Sequence, residues 1–152
     1  MILVDVYTDG ACKKNPGPGG WAAVFYKENK LLVDTSGGEL LTTNNRMELT
    51  GVLKAIESIK SFHWTHNYTN YNIYSDSSYV INGINSWLAN WKLKNWIGSN
   101  KQPVKNQDLW QEIDNLLTPE LKSIITFIWV KGHSGIEGNE MADKLATEAI
   151  PK

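Results

Sequence analysis

The sequence predicts a mixed α/β domain, and three observations carry that expectation. Three strand-like apolar runs come first, and strands then alternate with helical patterns. Of the 152 residues, 41% are hydrophobic and 20% charged, enough apolar material for one packed core over residues 1–152. A single cysteine cannot form an internal disulfide, which suits a reducing compartment. No apolar run approaches a membrane span, and the N-terminus lacks the features of a signal peptide. A cytoplasmic chain with no membrane association is therefore expected. The net charge of -1 excludes a globally basic nucleic-acid binder but not a local patch.

Each element has its own signal. Ile2 to Thr8 is rich in Val and apolar on both faces, as in a buried central strand, and is expected to stop at Asp9-Gly10. Asn15-Pro-Gly-Pro-Gly-Gly20 reads as a turn. Trp21–Tyr26 and Leu31–Leu40 form a hairpin around Lys27-Glu28-Asn29-Lys30. Leu49, Val52, Leu53, Ile56 and Ile59 recur at helical spacing. Ser61 to Asn70 lacks a period and reads as a loop, followed by a strand from Asn72 to Ser75. Tyr79 to Trp91 is helical, and Lys92 to Lys105 is an exposed excursion. Asn106 is a plausible N-cap for a helix burying Leu109, Ile113, Leu116 and Leu117. Ser123 to Val130 reads as a buried strand, Lys131 to Gly138 as a glycine-rich loop, and Met141 to Ala149 as the last helix.

Four acids stand out by position. Asp9 and Asp76 lie where apolar strands give way to polar residues, the end of an α/β sheet at which ligands bind. Glu48 lies at the start of a helix and Asp143 in the first turns of another. If they converged, the cluster would repel itself without cations. Oxygen ligands without cysteine favour Mg²⁺ or Mn²⁺ over zinc. Two such ions about 4 Å apart suit phosphoryl displacement. Each acid also has an ordinary structural reading. Asp76 can cap the helix after it, Asn45 with Glu48 resembles a capping box, Asp143 can be solvated, and Asp9 can form a turn. A zinc site at His63 and His66 is a weaker alternative, because the only cysteine is distant in sequence.

A longer series of motifs settles the expectation. Thr8-Asp9-Gly10, Asn15–Gly20, Thr43-Asn44-Asn45-Arg46-Met47-Glu48-Leu49, Ser75-Asp76-Ser77, Pro103–Asn106, Val130–Gly135 and Gly138–Asp143 follow one another from about Val4 to Ala149. In that order they resemble ribonuclease H type 1, bacterial-like branch. The resemblance implies a ribonuclease H-like fold, a five-stranded mixed sheet with helices on both faces. It implies endonucleolytic cleavage of the RNA strand of RNA–DNA hybrids, leaving 3′-hydroxyl and 5′-phosphate ends. Asp9, Glu48, Asp76 and Asp143 would hold two Mg²⁺ ions, with Mn²⁺ as a possible substitute, and His133 would assist proton transfer or product release.

The resemblance also implies how the hybrid is held. Gly10, Cys12, Asn15, Asn44 and Asn45 would line the RNA strand, where the 2′-hydroxyl distinguishes RNA from DNA. Thr43, with Asn15 and the helix start, would hold a phosphate of the DNA strand. Residues 87–105 match a basic protrusion in which Trp87, Trp96, Lys92 and Lys94 would meet the DNA strand, while Trp91 and Trp110 pack. Between Asp76 and Asp108 the only charges are Lys92, Lys94, Lys101 and Lys105. Two departures are visible. Ser78 stands where the family often has Gln, shortening a minor-groove contact, and the protrusion has no arginine, which predicts salt-sensitive binding. Rival readings are a silent hybrid-binding module and an exonuclease of the wider fold group. The latter usually has a second acid two residues after the first Asp, where this chain has Ala11. A free-standing monomer without an obligate protein partner is expected.

Overall fold

The computed structural model describes residues 2–65 and 69–152. Five strands form one mixed sheet in the order β3-β2-β1-β4-β5. Strand β1 (Ile2–Cys12) is central. It pairs antiparallel with β2 (Gly17–Lys27), which pairs antiparallel with β3 (Lys30–Thr42). On its other side β1 runs parallel to β4 (Thr69–Ser75), and β4 parallel to β5 (Ile125–Trp129).

Asp9-Gly10 does not end β1, contrary to the sequence expectation. The antiparallel ladder continues through Asp9↔Ala22 and Gly10↔Trp21 to Cys12↔Gly19, because β2 reaches back through the glycines read as a turn. Those glycines are strand residues with no room for side chains. A Cβ on Gly19 would meet Thr42 and Met47, and one on Gly20 the backbone of Ala146. The β2–β3 hairpin turns as expected, with Glu28 and Asn29 at φ of 52° and 64°, the pair of left-handed residues that a two-residue hairpin needs.

Helix α1 (Asn44–Thr65) buries Leu49, Val52, Leu53, Ile56 and Ile59 against the sheet. It outruns the expected boundary, so residues 61–65 are helix and not loop. Phe62 is one reason, meeting Phe25 edge-to-face at 5.7 Å. Residues 66–68 of that expected loop lie outside the described residues, as do the side chains of both histidines of the zinc alternative.

The expected helix after Asp76 is built in three pieces: α2 (Ser78–Asn82), a π-helical turn (Gly83–Trp87) and α3 (Leu88–Leu93). The fully buried Trp110 indole lies against Gly83, where any side chain would collide with it. Helix α4 (Gln107–Leu116) follows the excursion. Asn106 precedes it in the left-handed conformation, φ 59°, and its side chain does not cap. It bonds instead to Arg46 and Tyr79. Helix α5 (Pro119–Ile124) was not expected; Thr118 caps it and Pro119 opens it. Ser123 therefore belongs to α5, and β5 is a shorter, half-buried edge strand. Helix α6 (Glu137–Glu148) begins ahead of the expected Met141.

Helices cover both faces of the sheet, as expected. On one face α1 and α4 enclose the large core around Trp110 and Ile73. On the other, α6 lays Ala142 on Val24 and Tyr26, with Tyr7 beside them.

Candidate active site

The parallel ladder between β1 and β4 ends at Tyr7↔Tyr74, whose rings stack at 4.7 Å. Asp9 lies two residues further along β1, on the face of that ring pair because side chains alternate along a strand, and Asp76 follows directly on the last residue of β4. Asp9 is only 4% exposed and accepts the Gly10 N–H at 2.9 Å.

Glu48 joins them from α1. Thr43 caps this helix, its Oγ1 accepting the Arg46 N–H at 3.2 Å, so no capping box forms between Asn45 and Glu48. A Cβ on Gly10 would collide with the backbone of Met47 and Glu48. The glycine thus lets the first turns of α1 lie directly on β1 and bring Glu48 to Asp9. Nor does Asp76 cap α2, since Ser77 Oγ accepts the Val80 N–H there. The ordinary readings of Glu48 and Asp76 fail on these hydrogen bonds.

One carboxylate oxygen each of Asp9, Glu48 and Asp76 lies within 4.8 Å of the other two. Burial pushes the Asp9 carboxyl up to about 7; the charges of Asp76 and Asp143 add to the rise, and a hydrogen bond with Glu48 opposes it. Burial also raises Glu48 well above the ordinary carboxylate range, with the Asp9 charge next in importance. Glu48 Oε2 is buried with no hydrogen-bond partner among the described residues. A crowded carboxylate set with an orphaned buried oxygen fits a hard divalent cation, which would give every lone pair a partner. Asp143, half-buried in α6, stands outside the tight group but near enough for its charge to act on Asp9. The geometry brings three of the four expected acids together and the fourth into their field.

His133 is exposed in the β5–α6 loop at φ 53°, with Gly135 at φ 87° close by. Its neighbour Gly132 abuts the cluster, since a Cβ there would stand 2.7 Å from Asp76 Oδ2. Gly132→Ala must therefore displace either the loop or Asp76. The expected result is a kcat reduced about 10-fold by the misplaced carboxylate, with the folded state less stable by no more than about 1 kcal/mol. Steady-state kinetics beside urea unfolding checks this.

The expected substrate residues divide by environment. Asn15 Oδ1 accepts the Asn44 N–H at 3.0 Å, joining the β1–β2 turn to the start of α1. Asn44 and Asn45 are exposed, as is Ser78 at the start of α2. The half-buried Cys12 thiol faces the carbonyls of Thr42 and Gly17 at 3.4 and 3.5 Å. Trp87 is 39% exposed, and it lines one hollow with Trp91, Lys94 and Ile97. Trp110 is buried and Trp91 packs on the core, as expected, but Trp96 also packs there and keeps only part of its surface free. Lys92 leaves the other lysines and pairs with Asp114 of α4 at 3.3 Å. Sequence reasoning missed Gly132 and Trp129. The indole of Trp129 donates to the carbonyl of Asp76 at 3.1 Å, and its place two residues before Lys131-Gly132-His133 is the only sequence signal it carries.

The RNase H family profile matches residues 3–151. The chain is 46% identical to ribonuclease H of Treponema denticola over 98% of each chain. It is 51% identical to ribonuclease H of Francisella philomiragia, over 97% of this chain and 90% of that one. Among solved structures, LC9-RNase H1, a type 1 RNase H, superposes with a TM-score of 0.80 at 28% identity, covering 99% of this chain and 72% of the other. With a profile spanning nearly every residue and full-length relatives near half identity, the chain belongs to the RNase H family.

Proposed function

We propose that this ribonuclease H cuts the RNA strand of RNA–DNA hybrids internally, at a site where Asp9, Glu48, Asp76 and Asp143 hold two Mg²⁺ ions. The observation that carries the reading is the Asp9–Glu48–Asp76 cluster with its orphaned Glu48 oxygen. When bound, the metal supplies a lowered pKa for the attacking water and charge neutralisation at the leaving 3′-oxygen. Mn²⁺ offers the same hard-oxygen chemistry. His133, on its exposed loop, takes up and gives back a proton at its imidazole.

The remaining residues bind and orient. With Asn15 Oδ1 occupied by the Asn44 N–H, the Asn15 amide NH₂ is left to donate to a phosphate. Thr43 Oγ1 accepts from Arg46, which leaves its hydroxyl proton for the same phosphate at the N-terminus of α1. Gly10, Cys12, Asn44 and Asn45 line the RNA side, where the sugar hydroxyls are told apart. Trp87, Trp96 and Lys94 serve the DNA strand, with Ser78 a short contact near the groove. Lys92 contributes less, because Asp114 neutralises it. The chain works as one domain over 1–152, a cytoplasmic monomer. Among the described residues no helix is long and apolar enough to cross a membrane.

Four labelled duplexes test the activity: RNA–DNA, RNA–RNA, DNA–DNA, and DNA with one ribonucleotide, each with Mg²⁺ or EDTA. Internal cuts confined to the RNA of the hybrid and lost in EDTA are expected. An end-blocked hybrid left intact would overturn the endonuclease reading. The lysines separate in binding: Lys94→Ala is expected to weaken hybrid binding about 3-fold and reduce the salt slope by about 1, and Lys92→Ala to do less. Fluorescence anisotropy across a salt series reads both.

A further inference from the structure

Trp129 stands at the exposed edge of the sheet, beside the carboxylate cluster. It is the last residue of β5, paired with Ser75 of β4, and 51% of it is exposed. Burial of apolar surface is not what keeps a large indole at this edge. Its Nε1–H is engaged, donating to the backbone carbonyl of Asp76 at 3.1 Å.

Asp76 needs such a bond more than its neighbours do. It lies in the gap between the end of β4 at Ser75 and the cap of α2 at Ser77. On one side the Val130 N–H holds the Ser75 carbonyl at 2.9 Å. On the other, the Ser77 N–H bonds to Ser75 Oγ at 3.1 Å, and Ser77 Oγ receives the Val80 N–H. Between those anchors the Asp76 peptide is held by the indole, while its carboxylate lies where a side chain on Gly132 would stand. Residues 129–132 therefore frame Asp76: Trp129 bonds its carbonyl, Val130 bonds the Ser75 carbonyl before it, and Gly132 leaves room for its side chain.

We infer that Trp129 is a positioning residue for Asp76: its indole N–H fixes the peptide from which this carboxylate reaches the cation site. The inference rests on the metal-dependent reading above and gives it one more residue. Backbone and side-chain partners of ligand residues commonly set metal affinity, because they fix the ligand's orientation. A merely structural indole would act on stability, and a substrate-stacking indole would act on KM.

Trp129→Phe keeps an aromatic ring and deletes the donor; Trp129→Leu deletes both. The expected result is that both variants lower kcat about 10-fold and leave KM for the hybrid within about 2-fold of the wild type. Their melting temperatures in EDTA stay within a few degrees, about the effect of a surface change. A readout independent of activity is the rise in melting temperature on adding Mg²⁺, whose midpoint should move to about 10-fold higher Mg²⁺ in both variants. An unchanged Mg²⁺ midpoint overturns the proposal. So does a rise in KM with kcat and midpoint intact, which would make the ring a substrate contact. A wild type that fails to cut the hybrid would sink the functional reading instead, and the Mg²⁺ midpoint would still decide the role of Trp129.

Discussion

Asp9→Asn should reduce cleavage of an RNA–DNA hybrid by about 10³-fold or more, a barrier increase of about 4 kcal/mol. Asn has nearly the shape of Asp and still presents an oxygen to the Gly10 N–H, so the strand backbone around it is preserved. What disappears is one negative charge at the centre of a set in which one oxygen of each acid lies within 4.8 Å of the other two. That charge is what the cation needs, and no other side chain can replace it: Glu48 and Asp76 are already committed, and Asp143 stands outside the tight group. Hybrid binding should survive, because the phosphate and sugar contacts proposed for Asn15, Thr43 and Asn44 would come from the start of α1 and the β1–β2 turn. Removing a carboxylate near the scissile phosphate should even tighten it slightly. Cleavage assays with anisotropy on the same hybrid decide the matter. A variant that retains a tenth of the wild-type rate would remove Asp9 from the centre of the mechanism.

The acids were legible in sequence because they stand at changes of pattern, but their convergence was not. Asp9 and Asp76 become neighbours through a parallel pairing, Tyr7↔Tyr74, that bridges residues far apart in the chain. Nothing local announces it. Glu48 reaches them through a glycine: at Gly10 the missing side chain allows α1 to lie on β1, a fact about two elements and not about either alone. The ordered motifs supplied what spacing could not. The misread segments share one cause, local signals overridden by tertiary contact. Glycines at 17–20 look like a turn but are strand residues pressed by Thr42, Met47 and α6. Asn106 looks like a cap, yet Arg46 and Tyr79 claim its side chain. Lys92 looks like part of a basic face until α4 brings Asp114 to it. In contrast, the apolar period of α1 and the Lys27–Lys30 hairpin needed no distant partner, and both stand as read.

Metal removal should reveal the same crowding as a loss of stability with rising pH. In the metal-free protein Asp9 holds its proton up to about 7, chiefly through burial, and Glu48 is raised in the same direction. In the unfolded chain both acids titrate near ~4. Between those limits the native state binds more protons than the unfolded one, so stability falls as pH rises from about 4 to about 7. Asp9 alone, lifted by roughly 3 pKa units at about 1.4 kcal/mol each, would cost up to about 4 kcal/mol by the top of the window. Asp108 has the opposite sign, since Arg46 lowers its pKa, but its contribution is lost only on acidification below about 4. Urea unfolding in EDTA between pH 5 and 7.5 should therefore show wild type losing stability, while Asp9→Asn, in which only the burial-raised Glu48 remains, declines less steeply and is the more stable protein at the upper end. Saturating Mg²⁺ should reverse the order, because it stabilises only the wild type, by RT ln(1 + [Mg²⁺]/Kd). If the wild type in EDTA were as stable at pH 7.5 as at pH 5, and indistinguishable from Asp9→Asn, the carboxylates would not be buried together and the site would lose its physical basis. If the decline appeared but Mg²⁺ failed to restore stability, the cluster would be real and its ligand something other than this cation.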